Sequence, residues 1–390
     1  MHKIILLFDI SEEYGKNLLQ GITRYSKEKG PWIFCRMPLH YRETLGMESV
    51  LEFARDWEAD GIIAQLYNTS DIQKILDAGI PVIAEDFKER FENIPNITGG
   101  YFETGQMGAE YLMNKGFRNF AFYGFKNIVW SRERAEGFED FLNKHGFSVH
   151  YYEHEQTPSR ELWFYKPSAL SQWLKELPKP VAVMACDDER GSHISEACKH
   201  AGIQIPDEVA VLGVDNDELT CNLSDPPLSS IALDVEHGGY ETARLLDKLI
   251  TGRQTLSDDV VVKPIHVVTR QSTDICATTD KQISAALKFI HLNIDNNINV
   301  KDVLKKVPLS RRALEIRFFK VTGSSVYKYI CNLRIQKVTN KLVETDKPIA
   351  EIAIETGFSE NKNLSRLFKQ IKGTTPLKYR KKFPVNKLTE

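Results

Sequence analysis

The sequence predicts a doubly wound α/β domain followed by an all-α domain with two helix-turn-helix units. Three observations predict it. Through about residue 275, short apolar runs alternate with amphipathic segments at helical spacing, the pattern of a parallel sheet covered by helices. Beyond residue 284 the strand-like runs stop, and one helical phrase with the same turn chemistry occurs twice. Finally, the charge reverses: residues 281–390 hold 23 Lys and Arg against 9 Asp and Glu, a net of +14, and residues 1–280 hold 28 against 44, a net of −16. Such asymmetry points to a nucleic-acid-binding module joined to a domain with a different task. A chain of 390 residues also exceeds one ordinary core, given ~100–200 residues per domain.

The α/β elements follow in order. "HKIILLFDI" is a β-rich run, and "YGKNLLQGITRYSKEKG" places Leu18, Leu19, Ile22 and Tyr25 at helical spacing before Gly30. "DGIIAQL" and "IPVIAEDF" are buried-strand runs separated by the helical "TSDIQKILDAG". "FRNFAFYGF", "PVAVMACD" and "EVAVLGVD" repeat the plan. Ligands of such sheets bind beyond the carboxyl ends of the strands. Asp9, Asp86, Asp187 and Asp215 each stand at or just after such an end. The alternative for each is a helix N-cap or turn carboxylate. With no GxGxxG, no Walker sequence and no Lys-rich or Gly-rich phosphate loop, four carboxylates predict a neutral ligand rich in donors, such as a sugar.

The tail is equally regular. In "KPIAEIAIETGFSENKNLSRLFKQIKGTTP", Pro348 opens a helix carrying Ile349, Ile352 and Ala353; Gly357 makes the turn, and Ser359 is a candidate N-cap. Leu364, Leu367, Phe368 and Ile371 line the second helix, which Gly373 ends before Pro376 starts another. An earlier copy has Ser310, Leu314, Phe318 and Gly323 in place of Ser359, Leu364, Phe368 and Gly373, with one residue fewer, assigned to its second helix. Between the copies, Val326, Ile330, Leu333, Val338 and Leu342 predict a linking helix of roughly 20 residues, about 30 Å long and close to one turn of duplex DNA. Two readers on that spacer can enter successive major grooves. Leu314, Phe318, Leu364 and Phe368 are assigned to the core.

Other classes are set aside. No apolar run approaches the ~18 residues of a membrane span, and the apolar opening is too short for a secretory signal and lacks a cleavage site. The six cysteines, Cys35, Cys186, Cys198, Cys221, Cys276 and Cys331, are scattered without a CxxC pair, so neither a metal site nor a disulfide framework is expected. The expectation is a cytoplasmic protein with reduced thiols and no cofactor.

Residues 284–390 resemble the DNA-binding domain of the AraC/XylS transcription regulators, through Ile349, Ala350, Ile352, Ala353, Gly357, Phe358, Ser359, Leu364, Arg366, Phe368, Lys369, Gly373, Thr375, Pro376 and Tyr379. The resemblance implies that Arg311, Arg312 and Glu315 in the first reader, and Glu360, Asn361, Lys362, Asn363 and Arg366 in the second, face the groove. Arg suits guanine, Asn adenine, and Glu the cytosine amine. Lys362 and Lys369 suit phosphate, which is also the alternative for the others. Ile316 stands where a polar or basic groove residue is common in that family.

Residues 1–275 resemble the sensor domain of the lactose-repressor and periplasmic-binding-protein superfamily, most clearly in "VAVLGVDNDELTCNLSDPPLSSIALDVEHGGYETARLLDKLITGR" and "VVVKPIHVVTRQST". The implied fold is two lobes around a cleft that closes on ligand by hinge motion. Arg134, three residues before Gly137, matches an arginine that this superfamily turns toward ligand hydroxyls. With the sensor first, a linker at 276–283 and the readers near 300–323 and 348–373, the whole chain resembles the xylose operon regulatory protein family. That implies D-xylose as effector, a homodimer on a double-stranded DNA operator, activation of pentose genes, and RNA polymerase as a further partner.

For a pyranose, Trp130 or Tyr14 would stack on the sugar face, with ordinary packing as the alternative for both. Arg134 and Asp215 would bind hydroxyls, with Asp9, Asp86 and Asp187 as further candidates. Another polyol or a nucleoside remains an alternative effector, as does a sensor that only dimerises. A rival reading makes the first domain amidase-like, with Cys186 as nucleophile. Asp187 and Asp188, directly after it, would raise that thiol where activation must lower it.

Overall fold

The computed structural model describes residues 1–66, 69–154, 166–252, 259–274, 280–358 and 361–382. Its first part is two α/β lobes. Lobe 1 holds β1 (Lys3–Leu7), β2 (Ile33–Arg36), β3 (Gly61–Gln65), β4 (Val82–Glu85), β5 (Asn96–Gly99) and β11 (Val260–Val262) in one sheet. Lobe 2 holds β6 (Phe120–Phe125), β7 (Val149–His154), β8 (Val181–Ala185), β9 (Val209–Val214), β10 (Ser229–Leu233) and β12 (Pro264–Val268). The sheets run β11-β5-β4-β3-β1-β2 and β12-β10-β9-β8-β6-β7, parallel throughout except for the antiparallel β10/β12 pair. Within each lobe the first strand lies between the second and third, so each sheet has one topological switch point. The central strands β1, β3, β6, β8 and β9 are almost wholly buried, because helices cover both faces.

The chain crosses between lobes three times: from β5 into α4 (Tyr101–Asn114), from β10 into α9 (Val235–Ile250), and from β11 to β12. Gly100 N–H donates to Val262 O (2.8 Å) and Asp234 N–H to Lys263 O (2.9 Å), which ties the crossings into one hinge. In lobe 2, α4 meets α5 (Val129–Lys144) backbone to backbone. A Cβ on Gly105 would lie 2.0 Å from Arg134 O, and one on Gly137 would lie 2.0 Å from Phe102 O. In lobe 1, Gly21 and Gly239 allow the same contact between α1 (Glu13–Lys29) and α9.

The last part is all helix: α10 (Lys281–Asn293), α11 (Val300–Leu304), α12 (Arg311–Thr322), α13 (Val326–Glu344), α14 (Ile349–Glu355), α15 (Asn361–Lys372) and α16 (Pro376–Lys382). Asp280 caps α10 by accepting from Gln282 N–H and Ile283 N–H, so helix begins inside the 276–283 stretch expected to be linker. The linking helix α13 has 19 residues, about 29 Å at 1.5 Å per residue. It gives Val326, Tyr329 and Ile330 to one core, with Leu314 and Phe318, and Ile335, Val338 and Leu342 to another, with Leu364 and Phe368. Arg334, midway along α13, donates to Asn296 O (2.8 Å) and Ile298 O (3.0 Å), its guanidinium 5.8 Å from the Phe358 ring centre, and so joins the two helix-turn-helix halves.

The expectation that the two copies differ by one residue inside the second helix falls on residues outside those described. α12 and α15 both have 12 residues, and Leu314, Phe318 and Gly323 pair with Leu364, Phe368 and Gly373 at a constant offset. The extra residue of the second copy therefore falls ahead of Asn361, outside the described residues. Ser310 caps α12 by accepting from Ala313 N–H; Ser359 and Glu360, ahead of α15, lie outside the described residues.

Candidate ligand cleft and nucleic-acid interface

Because all strands but β12 run parallel in their sheets, their carboxyl ends collect where the lobes face each other. A cavity of about 160 Å³ lies there, and Asp9, Tyr14, Asp86, Trp130, Arg134, Asp187 and Asp215 all line it. Asp9 and Asp86 follow β1 and β4 of lobe 1; Asp187 and Asp215 follow β8 and β9 of lobe 2, so the two lobes contribute matching walls. Arg134 reaches in from α5, 4% exposed at its side chain. It donates to Cys186 O (2.5 Å) and Asp215 Oδ1 (3.2 Å), its guanidinium 5.4 Å from the Tyr101 ring centre and 5.3 Å from that of Trp130. Its Nε is buried with no acceptor among the described residues. An unmatched buried guanidinium N–H costs about 1–3 kcal/mol, so it is poised for an incoming acceptor.

The other carboxylates differ in how far they are already engaged. Asp86 accepts from Tyr101 OH (2.7 Å), Thr98 OH (2.7 Å) and Arg90 Nε (3.1 Å). Asp187 takes the N-cap role weighed from the sequence, accepting from Arg190 N–H (2.8 Å) and from the Arg190 guanidinium (2.6 Å), while still lining the cavity. Asp9 accepts from the Ser11 N–H and hydroxyl, both at 2.7 Å. Asp215 (φ 99°) and Asn216 (φ 54°) hold positive φ without being glycine, a conformation costing about 1–3 kcal/mol that the surrounding structure must enforce. Asp215 N–H to Ile231 O (2.9 Å) and Asn216 N–H to Ser230 Oγ (2.9 Å) do so.

Seven carboxyl groups line the cavity against two guanidiniums. Burial, then Asp86, Glu12 and Asp9, push Glu85 up to about 8. Glu12 keeps exposed surface at the mouth, yet enclosure between the lobes and the facing Asp187 and Asp215 raise it to about 8 as well. Burial also raises Asp215, against the pull of Arg134. Such a site repels anions and offers many acceptors to a neutral, hydroxyl-rich molecule, with Trp130 and Tyr14 as apolar surface. A broader hollow of about 840 Å³ lies between lobe 2 and α12, ringed by Arg118, Lys179, Arg317 and Lys320; it is too open and too cationic to enclose a neutral ligand. Cys186 is fully buried, and burial followed by Asp187 raises its thiol well above the ordinary range, the reverse of an activated nucleophile.

The readers present their helices outward. On α12, Arg311 and Arg312 are exposed, whereas Glu315 turns back and accepts from Val326 N–H (3.2 Å) at the start of α13. On α15, Lys362, Asn363, Arg366 and Lys369 are exposed, while Leu364 and Phe368 are fully buried. Glu360 and the side chain of Asn361 lie outside the described residues.

Comparison with known proteins covers both halves. A periplasmic binding protein-like domain model matches residues 109–273, and a helix-turn-helix domain model matches residues 303–382. The xylose operon regulatory protein of Haemophilus influenzae is 30% identical over 389 residues, spanning 97% of this chain and 98% of its own length. The chain belongs to the xylose operon regulatory protein family. The Escherichia coli member is 28% identical over 388 residues, with 97% of each chain covered. A solved xylose-binding transcription activator covers 97% of this chain and 98% of its own, with 27% identity and a TM-score of 0.60. A periplasmic binding protein/LacI-type regulator from Alkaliphilus metalliredigens, solved with D-xylulofuranose, is 21% identical over 70% of this chain at a TM-score of 0.57, and shares the fold of the sensor lobes.

In this xylose operon regulatory protein relative, the seven cleft residues expected from sequence share one cavity. Sequence reasoning missed Gln65, Glu85, Tyr101, Glu12 and Arg190, which line it too. Gln65 and Glu85 each close a strand, the same signal that marked Asp86 beside them. Tyr101 begins α4 at the hinge, and only the crossing of the chain brings it opposite Arg134.

Proposed function

We propose that this chain is a D-xylose-responsive transcription regulator. In this reading Arg134, Asp215 and Asp86 bind sugar hydroxyls, Trp130 or Tyr14 stacks on the ring, and Asp9 and Asp187 complete the polar wall. The observation that carries it is the buried Arg134 Nε–H, unpaired among the described residues, in a small carboxylate-rich cavity between two hinged lobes. The readers are α12 and α15. Arg311, Arg312, Asn363 and Arg366 contact base edges, and Lys362 and Lys369 contact phosphate. The protein acts in the cytoplasm as a homodimer on a duplex operator, activates transcription, and engages RNA polymerase.

Sugar binding stabilises the closed lobes, and the contacts between lobe 2 and the helical domain support transmission from there. Arg118 donates to Val321 O (2.7 Å) at the end of α12, and Asn340 Nδ2 to Val267 O (3.3 Å). Asp274 pairs with His291 Nδ1 (3.4 Å), whose Nε2 meets Tyr329 OH (3.0 Å). Movement of lobe 2 therefore carries the first reader with it. By linkage, sugar and operator must tighten each other's binding by the same factor. Titration of a labelled operator with the full chain, with and without D-xylose over a range of salt, tests this; equal affinities throughout would refute the coupling. Calorimetry with D-xylose, L-arabinose, D-ribose and a nucleoside tests the ligand.

A further inference from the structure

The two readers share one framework but not one surface. From Leu314 to Lys320 and from Leu364 to Gln370, buried and exposed positions coincide residue for residue, and each helix ends on a left-handed glycine, Gly323 and Gly373, both at φ 71°. Positions spaced i, i+4 and i+7 form one outward stripe on such a helix. On α15 that stripe is Lys362, Arg366 and Lys369, three cations. On α12 the matching stripe is Arg312, Ile316 and Phe319, with Ile316 and Phe319 each 59% exposed.

Of the neighbouring polar side chains of α12, Lys320 is exposed while Glu315 and Arg317 are committed elsewhere. Glu315 accepts from Val326 N–H, and Arg317 is held by Asp280 (2.5 and 2.6 Å), the N-cap of α10, and by Gln282 (3.0 Å) in its first turn. That leaves an apolar pair beside the exposed Arg311, Arg312 and Lys320, on a stripe whose equivalent in the second reader is wholly cationic. In the major groove, the feature an apolar side chain recognises is the thymine C5-methyl group. The flanking Arg311 and Arg312 reach the base edges beside it.

Resting on the DNA-reading function above, we propose that the first reader specifies thymine methyl groups through Ile316, with Phe319 beside it, where the matching stripe of the second reader carries Arg366 and Lys369. The two half-sites are then read by different chemistry, the first adding methyl contact to its arginine contacts, the second using charge and hydrogen bonds alone.

The test uses the full chain with D-xylose present. A duplex is first selected from a randomised library, and each thymine is then replaced singly by deoxyuridine, which removes only the methyl. At one or more thymines of the first half-site, binding weakens about four-fold, the equivalent of one buried methyl at about 0.8 kcal/mol. The penalty disappears in Ile316→Ala or Ile316→Lys, whereas Arg366→Ala leaves it intact. Because Ile316 is exposed, both variants melt with the parent, which separates the effect from misfolding. Uracil substitutions that are neutral throughout, or a penalty unchanged in both Ile316→Ala and Phe319→Ala, would overturn this assignment alone. Failure to enrich any duplex would overturn the DNA-reading function and the assignment with it.

Discussion

Replacing Arg134 by methionine removes the charge and every donor while keeping an apolar stem of similar reach. Three interactions go: the donation to Cys186 O at 2.5 Å, the ion pair to Asp215 at 3.2 Å, and the contacts with the Tyr101 and Trp130 rings. Breaking a buried pair by deleting one partner costs ~3–5 kcal/mol when the other charge is stranded. Asp215 is 21% exposed and burial already raises it, so it can relieve part of that cost by taking a proton. A net destabilisation of about 2 kcal/mol follows, or roughly 4–8 °C for a domain of this size. Sugar binding loses a charge-assisted hydrogen bond worth about 1.5–3 kcal/mol, so the Kd for D-xylose rises roughly ten- to 150-fold. Calorimetric titration of the full chain, paired with thermal melts, separates the two effects; Arg134→Lys, which keeps the charge but not the planar fork, should fall between. Parental affinity in a folded Arg134→Met variant would refute the placement of the ligand against this side chain.

Glu85, raised from 4.5 to about 8, holds a proton in the folded state that the unfolded chain releases. Its contribution to stability is therefore present below pH 4.5 and lost as the pH rises through 8, so the ligand-free melting temperature should fall between pH 5 and 8.5, and Glu85→Gln should flatten that fall. Gly137→Ala places a Cβ 2.0 Å from Phe102 O between α4 and α5. It should cost about 1–3 kcal/mol in chemical denaturation and weaken sugar binding by displacing Arg134 one turn away, whereas alanine at the exposed Glu136 should do neither. Gly357 has φ 77°, and a Cβ there would lie 2.6 Å from both Ile294 O and Asn296 O. Gly357→Ala should therefore abolish operator binding in a shift assay while leaving the affinity for D-xylose unchanged.

What the sequence by itself determined is local. Alternating apolar runs and helical spacing identified β1, β3, β4, β6, β8 and β9 and the helices between them, because burial on two faces demands continuous apolar residues. The doubled helix-turn-helix and its basic charge were legible for the same reason, since Leu314, Phe318, Leu364 and Phe368 must repeat to fill two small cores. Strand ends marked the acidic candidates, because a doubly wound sheet gathers its carboxyl ends on one side.

Only the tertiary structure decided which polar groups meet. Asp9 and Asp215 are brought together by two lobes closing over a hinge of three crossings, and no periodicity within one element encodes that approach. Nor could spacing tell that Asp187 serves as helix cap and cavity wall at once, that Arg134 keeps one N–H free of any acceptor among the described residues, or that Glu315 bonds back to the start of α13 while Ile316 faces out. The physical reason is one of range. Periodicity records whether a side chain leaves water, which its own helix or strand decides, whereas the partner it finds depends on elements distant in the chain.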